Sequence, residues 1–221
     1  MSKIVHPYAH RLVILRDWKS RWFATKDTFV KNLKIDVLLR DFLMKKLRGS
    51  YIAGVEFERN QKATRIIIRT SRPGMVIGRS GENSIELKGD VVNFLKKHGI
   101  KPTDDLKIDV VEVQNPDADA HVVAYAIAEA LEKRMTYRRV MKQMIEKIMA
   151  VRGVEGARIV IGGRLGGAEI ARSEELKRGS IPLQTFRADI DFARERAHLS
   201  YGDIGIKVWI YRGEIFNEVK K

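Results

Sequence analysis

The segment Arg72-Pro73-Gly74-Met75-Val76-Ile77-Gly78-Arg79-Ser80-Gly81 holds the residues best suited to anion chemistry. Its glycines let a backbone come close to a phosphate, and its arginines supply the charge. It is not the phosphate loop of a nucleotide hydrolase, because that pattern needs Gly-Lys-Ser/Thr in succession and Arg79 stands where the lysine should be. Two readings remain for Gly78, Arg79, Ser80 and Gly81: a G-x-x-G loop that takes a nucleic-acid backbone, or a tight turn between helices. A second basic group comprises Lys133-Arg134, Arg138-Arg139, Lys142 and Lys147. At 100° per residue, Arg138, Arg139 and Lys142 cover roughly 100° of helix surface beside Met141 and Ile145. That spacing suits a grip on one RNA strand and equally suits a solvated flank, with Glu146 placed to pair with Lys142.

Other arrangements point away from catalysis. Asp189 and Asp191 share a face if extended and could hold Mg²⁺ in a nuclease, but Arg164, Arg172 and Arg187 in the surrounding motifs favour ion pairs. Gly162-Gly163 and Gly166-Gly167 flank Arg164 without dinucleotide-binding spacing, so this turn is expected to shape a close backbone contact. His6, His10, His98, His121 and His198 form no metal-ligand or triad pattern. The absence of cysteine removes all thiolate chemistry. Trp18, Trp22, Trp209 and Tyr211 read as packing anchors rather than base-stacking platforms. No catalytic residue, metal or cofactor is expected.

Charge names the class of partner. The net charge is +14, and residues 1–100 carry 21 Lys/Arg against 9 Asp/Glu, so the excess sits in the first half. Clustered positive charge fits a polyanion, since each neutralised phosphate releases counterions. A hydrophobic content of 44% is enough for real cores, and 221 residues fit two domains at roughly 150 residues each. No apolar run approaches the ~20 residues of a membrane span, and Leu12–Leu15 is too short for a signal peptide, so a soluble cytoplasmic protein without a membrane partner is expected.

The elements that must position these residues follow from periodicity. Met1–Phe23 reads as an extended lead-in. Thr28–Leu47 has Leu33, Val37, Leu38 and Leu43 at helical spacing and a basic end before Gly49. Two strands around Val55-Phe57 and Ile66–Ile68 flank a turn at Arg59–Lys62; a helix with Leu87, Val91, Phe94 and Leu95 closes near Gly99, and a strand carries Leu106, Ile108 and Val110. With the short segment after Pro73, the first domain reads α-β-β-α-α-β. Helices are predicted over Asp117–Lys133 and Thr136–Val151, a strand at Ile159–Ile161, a short helix over Ala168–Lys177, and strands over Ile181–Asp191 and Ile204–Arg212.

The α-β-β-α-α-β order around a G-x-x-G loop resembles the prokaryotic (type II) KH fold. Arg72-Pro73-Gly74 with Ile77–Gly81, the stretch Gly163–Arg172, and Arg187-Ala188-Asp189-Ile190-Asp191 are similar, over nearly the whole chain, to the bacterial family of small-subunit ribosomal protein three. Val5-His6-Pro7, Arg11-Leu12, Trp22-Phe23-Ala24 and Tyr201-Gly202 through Ile210 extend the likeness. Glycines usual in that family after His-Pro and Arg-Leu are replaced by Ala9 and Val13. The resemblance implies an α+β and α/β chain: an N-terminal arm at 1–27, a KH RNA-binding domain at 28–116, and a C-terminal α/β domain with a mixed sheet at 117–221. It implies a structural, non-enzymatic component of the small-subunit head that binds 16S rRNA, neighbours ribosomal proteins ten and fourteen, and lines the channel where mRNA enters. The family's Arg-Arg-x-Met-Lys segment there is associated with unwinding, and Arg138, Arg139 and Lys142 match it. The rival readings are a nuclease working through Asp189 and Asp191, and a free KH regulator of single-stranded RNA.

Overall fold

In the computed structural model, which describes residues 5–60, 63–98 and 105–216, the elements run in chain order as α1 (Pro7–His10), β1 (Ser20–Arg21), α2 (Lys26–Lys46), β2 (Ile52–Arg59), β3 (Ala63–Thr70), α3 (Pro73–Ile77), α4 (Glu82–Lys97) and β4 (Asp105–Glu112). They continue as α5 (Ala120–Glu132), α6 (Tyr137–Ala150), β5 (Gly156–Gly163), β6 (Arg172–Gly179), β7 (Ala188–Leu199) and β8 (Gly202–Glu214). Gln61-Lys62 of the expected turn and the Gly99 end of the expected helix lie outside the described residues. The chain divides into two units: Trp18–Gln114, and a second that joins the residues up to Asp17 to those from Asn115 onward.

The first unit has the expected α-β-β-α-α-β order, with β1 added in front. Its mixed sheet runs β1-β2-β3-β4, with β1 parallel to β2, β2 antiparallel to β3, and β3 parallel to β4. The alternation Ile66, Ile68 in β3 and Val55, Phe57 in β2 puts these side chains into one core with Leu39 and Leu43 of α2 and Leu87, Val91 and Leu95 of α4. Each such burial is worth roughly 1.5–3 kcal/mol. The other sheet face is laced with ion pairs: Arg21 to Glu56 and Glu58 at 2.9 and 2.8 Å, Arg69 to Glu56 at 3.0 Å, and Arg65 to Asp109. Helix α2 buries Ile35, Asp36, Leu39 and Leu43, whereas Leu33 and Val37, expected in its core stripe, are about half exposed. The stripe rotates because Asp36 has partners inside: Trp22 Nε1 donates to it at 2.7 Å and Arg59 Nε at 3.0 Å. Trp22 is thus an anchor.

The second unit is a sheet in the order β6-β5-β8-β7, antiparallel throughout. The mixed sheet expected in the C-terminal domain is therefore found in the first unit instead, because the C-terminal strands connect without the crossover helices that parallel pairing needs. Alanine-rich α5, N-capped by the Asp119 carboxylate through the His121 and Val122 N–H groups, lies close against one face. With Val140, Met141, Ile145 and Ile148 of α6, it covers Ile159, Ile161, Ile204, Ile206, Val208 and Ile210.

Two sequence expectations fail here. Residues 172–179 form strand β6, not a helix: as an edge strand the segment pairs with β5 from Gly163↔Arg172 to Gly156↔Gly179, and Leu176 packs against the core. Residues 181–187 are not strand, and β7 starts only at Ala188. Ile181 and Leu183 instead cover the outer-face cluster of Ile190, Phe192, Trp209 and Tyr211. The lead-in set at 1–27 is also shared out, since Trp18 onward joins the first unit while the residues up to Asp17 join the second. Arg11, 1% exposed, donates to the carbonyls of Pro7, Leu183 and Thr185 at 3.1, 3.0 and 2.8 Å.

Candidate nucleic-acid interface

Pro73, with its preset φ, opens the short helix α3, which closes at Gly78 through an N–H to Gly74 C=O bond of 2.9 Å. Gly78 and Gly81 have φ of 75° and 82°, with Ser80 between them at 54°. A Cβ on Gly78 would lie 2.6 Å from Cγ of Asn83, whose Nδ2 donates to the Met75 carbonyl at 3.1 Å; at Gly81 nothing lies within 4 Å. Packing and backbone both demand the first glycine, and backbone alone demands the second. Arg79 is exposed and has no ion-pair partner among the described residues. The loop runs directly into the first turn of α4, where no side chain caps the helix at Gly81; Glu82 stands in that turn, and its own N–H donates back to the Arg79 carbonyl. Met75, Ile77 and Ile85 stand exposed beside it. The sequence reading did not single them out, although a five-residue helix has too little length to bury two faces.

Arg138, Arg139 and Lys142 are exposed on α6, next to the buried Val140, Met141 and Ile145. The structure brings them together at an open cleft of about 530 Å³, bounded opposite by Glu174, Glu175 and Leu176 of β6. Arg138 Nη2 reaches Glu174 at 3.4 Å, and the Tyr137 hydroxyl donates to the same carboxylate at 2.7 Å. Arg172 Nη2 approaches that hydroxyl at 3.1 Å. The Tyr137 hydrogen bond, then the Arg138 one, holds Glu174 below the usual carboxylate range, and the bond to Glu174 raises Arg138. Arg139 and Lys142 have no ion-pair partner among the described residues, so the expected Lys142–Glu146 pair does not form. Glu174 and Tyr137 were missed by sequence reasoning because their meeting requires residues 172–179 to be a strand.

The acidic pair is neutralised. Asp189 Oδ1 accepts from Arg16 at 2.5 Å, and Arg212 lies 3.7 Å from Asp189 and 3.0 Å from Asp191. The ion pairs expected there form with Arg16 and Arg212, not with the arginines suggested by the sequence: Arg187 pairs with Glu214, Arg172 with Glu174, and Arg164 donates to the Ala168 and Tyr201 carbonyls. The expected close backbone contact of the glycine turn is present at Gly163, where a Cβ would lie 3.0 Å from the Asp203 carbonyl oxygen. Asp119, His121 and Asp191 bring ligand-type atoms within 4.8 Å of one another. The carboxylates are engaged within the fold: Asp119 Oδ1 caps α5, and Asp191 takes the Ala120 N–H at 2.9 Å, the Phe192 N–H at 3.0 Å and Arg212. Burial, then the charge of Asp191, pushes Asp119 up; Asp191 is also pushed up by burial, but His121 and Arg212 outweigh this and hold it low. This cluster fixes the start of α5.

Residues 38–118 match the KH domain family, and residues 127–210 match the family described as ribosomal protein S3, C-terminal domain. The small ribosomal subunit protein uS3 of Clostridium novyi (strain NT) is 42% identical over 215 residues, covering 97% of this chain and 94% of that protein. The chain belongs to the uS3 family. The uS3 proteins of Clostridium tetani (strain Massachusetts / E88) and Clostridium botulinum (strain Okra / Type B1) are 41% and 43% identical, over 100% and 97% of this chain and 97% and 93% of their own lengths. Membership in the uS3 family makes this a ribosomal protein of the small subunit, not an enzyme, and accounts for the pairing of a KH unit with an antiparallel C-terminal unit. Among the described residues, no helix is long and apolar enough to cross a membrane.

Proposed function

We propose that this protein, as the uS3 member of its small subunit, binds 16S rRNA in the subunit head and grips incoming mRNA, helping to keep its strands apart during translation. In this reading the Gly78–Gly81 loop lets an RNA backbone come close over its glycines, with Arg79 on the phosphates, while Arg138, Arg139 and Lys142 hold message phosphates. Ribosomal proteins ten and fourteen are its proposed neighbours, and the cytoplasm its compartment. The observation that carries the reading is the cleft on α6: three exposed cations meet there, and two of them have no acidic partner among the described residues. Such charges on a helix flank contribute little to folding, typically within about 0.5 kcal/mol on substitution, and remain available for phosphate.

The test is elongation on matched messages with and without a stable downstream hairpin, using ribosomes that carry wild-type protein or the Arg138→Ala/Arg139→Ala/Lys142→Ala variant. The variant should enter subunits and translate the unstructured message normally, but slow on the hairpin. Equal slowing of both ribosomes by the hairpin refutes the mRNA role.

A further inference from the structure

The outer face of the C-terminal sheet, turned away from α5 and α6, falls into two halves. One half is apolar: Ile190, Phe192, Trp209 and Tyr211 are buried there beneath Ile181 and Leu183. The other half is open and basic. Arg194 of β7 lies directly opposite Lys207 of β8, and both are exposed. Neither has an ion-pair partner among the described residues. Like charges facing each other across strands destabilise a sheet. The first unit neutralises its strand arginines with Glu56, Glu58 and Asp109, so an unneutralised cationic pair stands apart within the same chain. Arg196 and His198 follow on the same face of β7, and an open depression of about 590 Å³ is lined by Arg194, Glu195, Arg196, His198, Ile206 and Lys207. Strand alternation sends the Glu195 side chain to the opposite face, with Ala193 and Ala197, and His198 meets Asp203 at 2.7 Å.

Beside this pair, two adjacent positions of the sheet surface carry no side chain. Gly205 of β8 pairs with Gly162 of β5, and both fall on the outer face by alternation. Neither has a left-handed φ, and the nearest atoms to a Cβ at either site lie at an ordinary 3.7 Å. The fold does not require these glycines, and glycine inside a strand weakens it. Where it occurs without a steric need, it marks close approach by a ligand or another backbone.

We propose that this half of the sheet is a second RNA-binding surface, in which a phosphate-sugar backbone lies over Gly205 and Gly162 with Arg194, Lys207 and Arg196 on its phosphates. It is separate from the Gly78–Gly81 loop and from the α6 cleft, and stands whether or not the α6 cations grip mRNA. RNA is favoured over an acidic protein segment because a bare two-glycine floor beside cations fits a thin, regularly charged backbone, while a protein partner would seek apolar anchors that this half does not expose.

The test uses the full chain and a fluorescent, unstructured 20-nucleotide RNA, titrated at several salt concentrations. Arg194→Gln/Lys207→Gln should weaken binding ~10- to 30-fold at 0.1 M salt and flatten the log–log salt slope by about 1.4, as expected for two lost single-strand phosphate contacts. Gly205→Thr adds no charge and suits a strand; it should keep or raise the melting temperature while weakening the same RNA several-fold. Unchanged RNA affinity in the charge variant overturns the proposal, and unchanged affinity in Gly205→Thr overturns the backbone-on-glycine geometry. A 20-residue polyglutamate that binds as tightly as the RNA and loses as much in both variants would make this a protein-docking face and overturn the RNA assignment. The α6 triple-alanine protein, run on the same probe, separates this result from the fate of the mRNA reading.

Discussion

Replacing Arg11 by methionine tests whether the chain start is a structural part of the second unit. Methionine keeps an apolar stem of similar length and deletes the guanidinium, which donates to Pro7, Leu183 and Thr185 at 2.8–3.1 Å from a site 1% exposed. Hydrogen bonds from a charged group are worth about 1.5–3 kcal/mol each, but the variant no longer has to bury a cation. Removing the charge recovers part of the sum, leaving a net loss of about 3 kcal/mol. At roughly 4 °C per kcal/mol for a unit of this size, the melting temperature of the second unit should fall by about 12 °C. Hydrogen exchange should localise the effect, with amide protection lost first around residues 181–187, whose carbonyls lose their donor, and then at the outer-face cluster they cover. An unchanged melting temperature with unchanged exchange at 181–187 would show that the segment merely lies on this surface and would refute the reasoning.

Three further outcomes are expected. Gly81→Asp should fold with a loss of about 1–2 kcal/mol from its positive φ while RNA affinity drops; Gly78→Asp should lose more stability because its Cβ also displaces Asn83, and calorimetry with an RNA titration distinguishes the two. Val13 holds φ 70° although it is β-branched and 81% exposed, so Val13→Gly should raise stability by about 0.5–1 kcal/mol in a denaturant titration; a loss of stability contradicts the strain. Asp119 is raised in the folded protein, so the folded state binds more protons than the unfolded one just above the ordinary value of 3.8, and its contribution falls as pH rises through the shifted pKa. Asp119→Asn preserves an N-cap and should overtake wild type as pH rises from about 4 to 7; parallel stability curves would show that the burial and repulsion are not felt.

The sequence alone determined whatever depends on short-range pattern. Alternation in Ile66–Ile68 and Leu106–Val110, the 3.6-residue recurrence of Leu87, Val91 and Leu95, and glycines at positions of positive φ are local properties, and they define the KH order and its loop without any long-range contact. The exposure of Arg138, Arg139 and Lys142 was legible in the same way, since their neighbours Met141 and Ile145 had to face inward. What tertiary structure decided is pairing. Residues 172–179 have no strong preference of their own and became a strand because β5 presented an open edge. Residues 181–187 look like a strand by composition, yet Arg11, more than 170 residues earlier, binds their carbonyls and leaves Ile181 and Leu183 to cover another cluster. Asp36 is buried because Trp22 and Arg59 converge on it, and no helical periodicity counts a carboxylate as core. The Arg194–Lys207 pair has the same origin, because the 12 positions between them say nothing until register sets one opposite the other. Local backbone preference acts over a few residues and is written in the sequence in order, whereas hydrogen-bonded register and the desolvation of charge depend on partners that only the folded chain brings together.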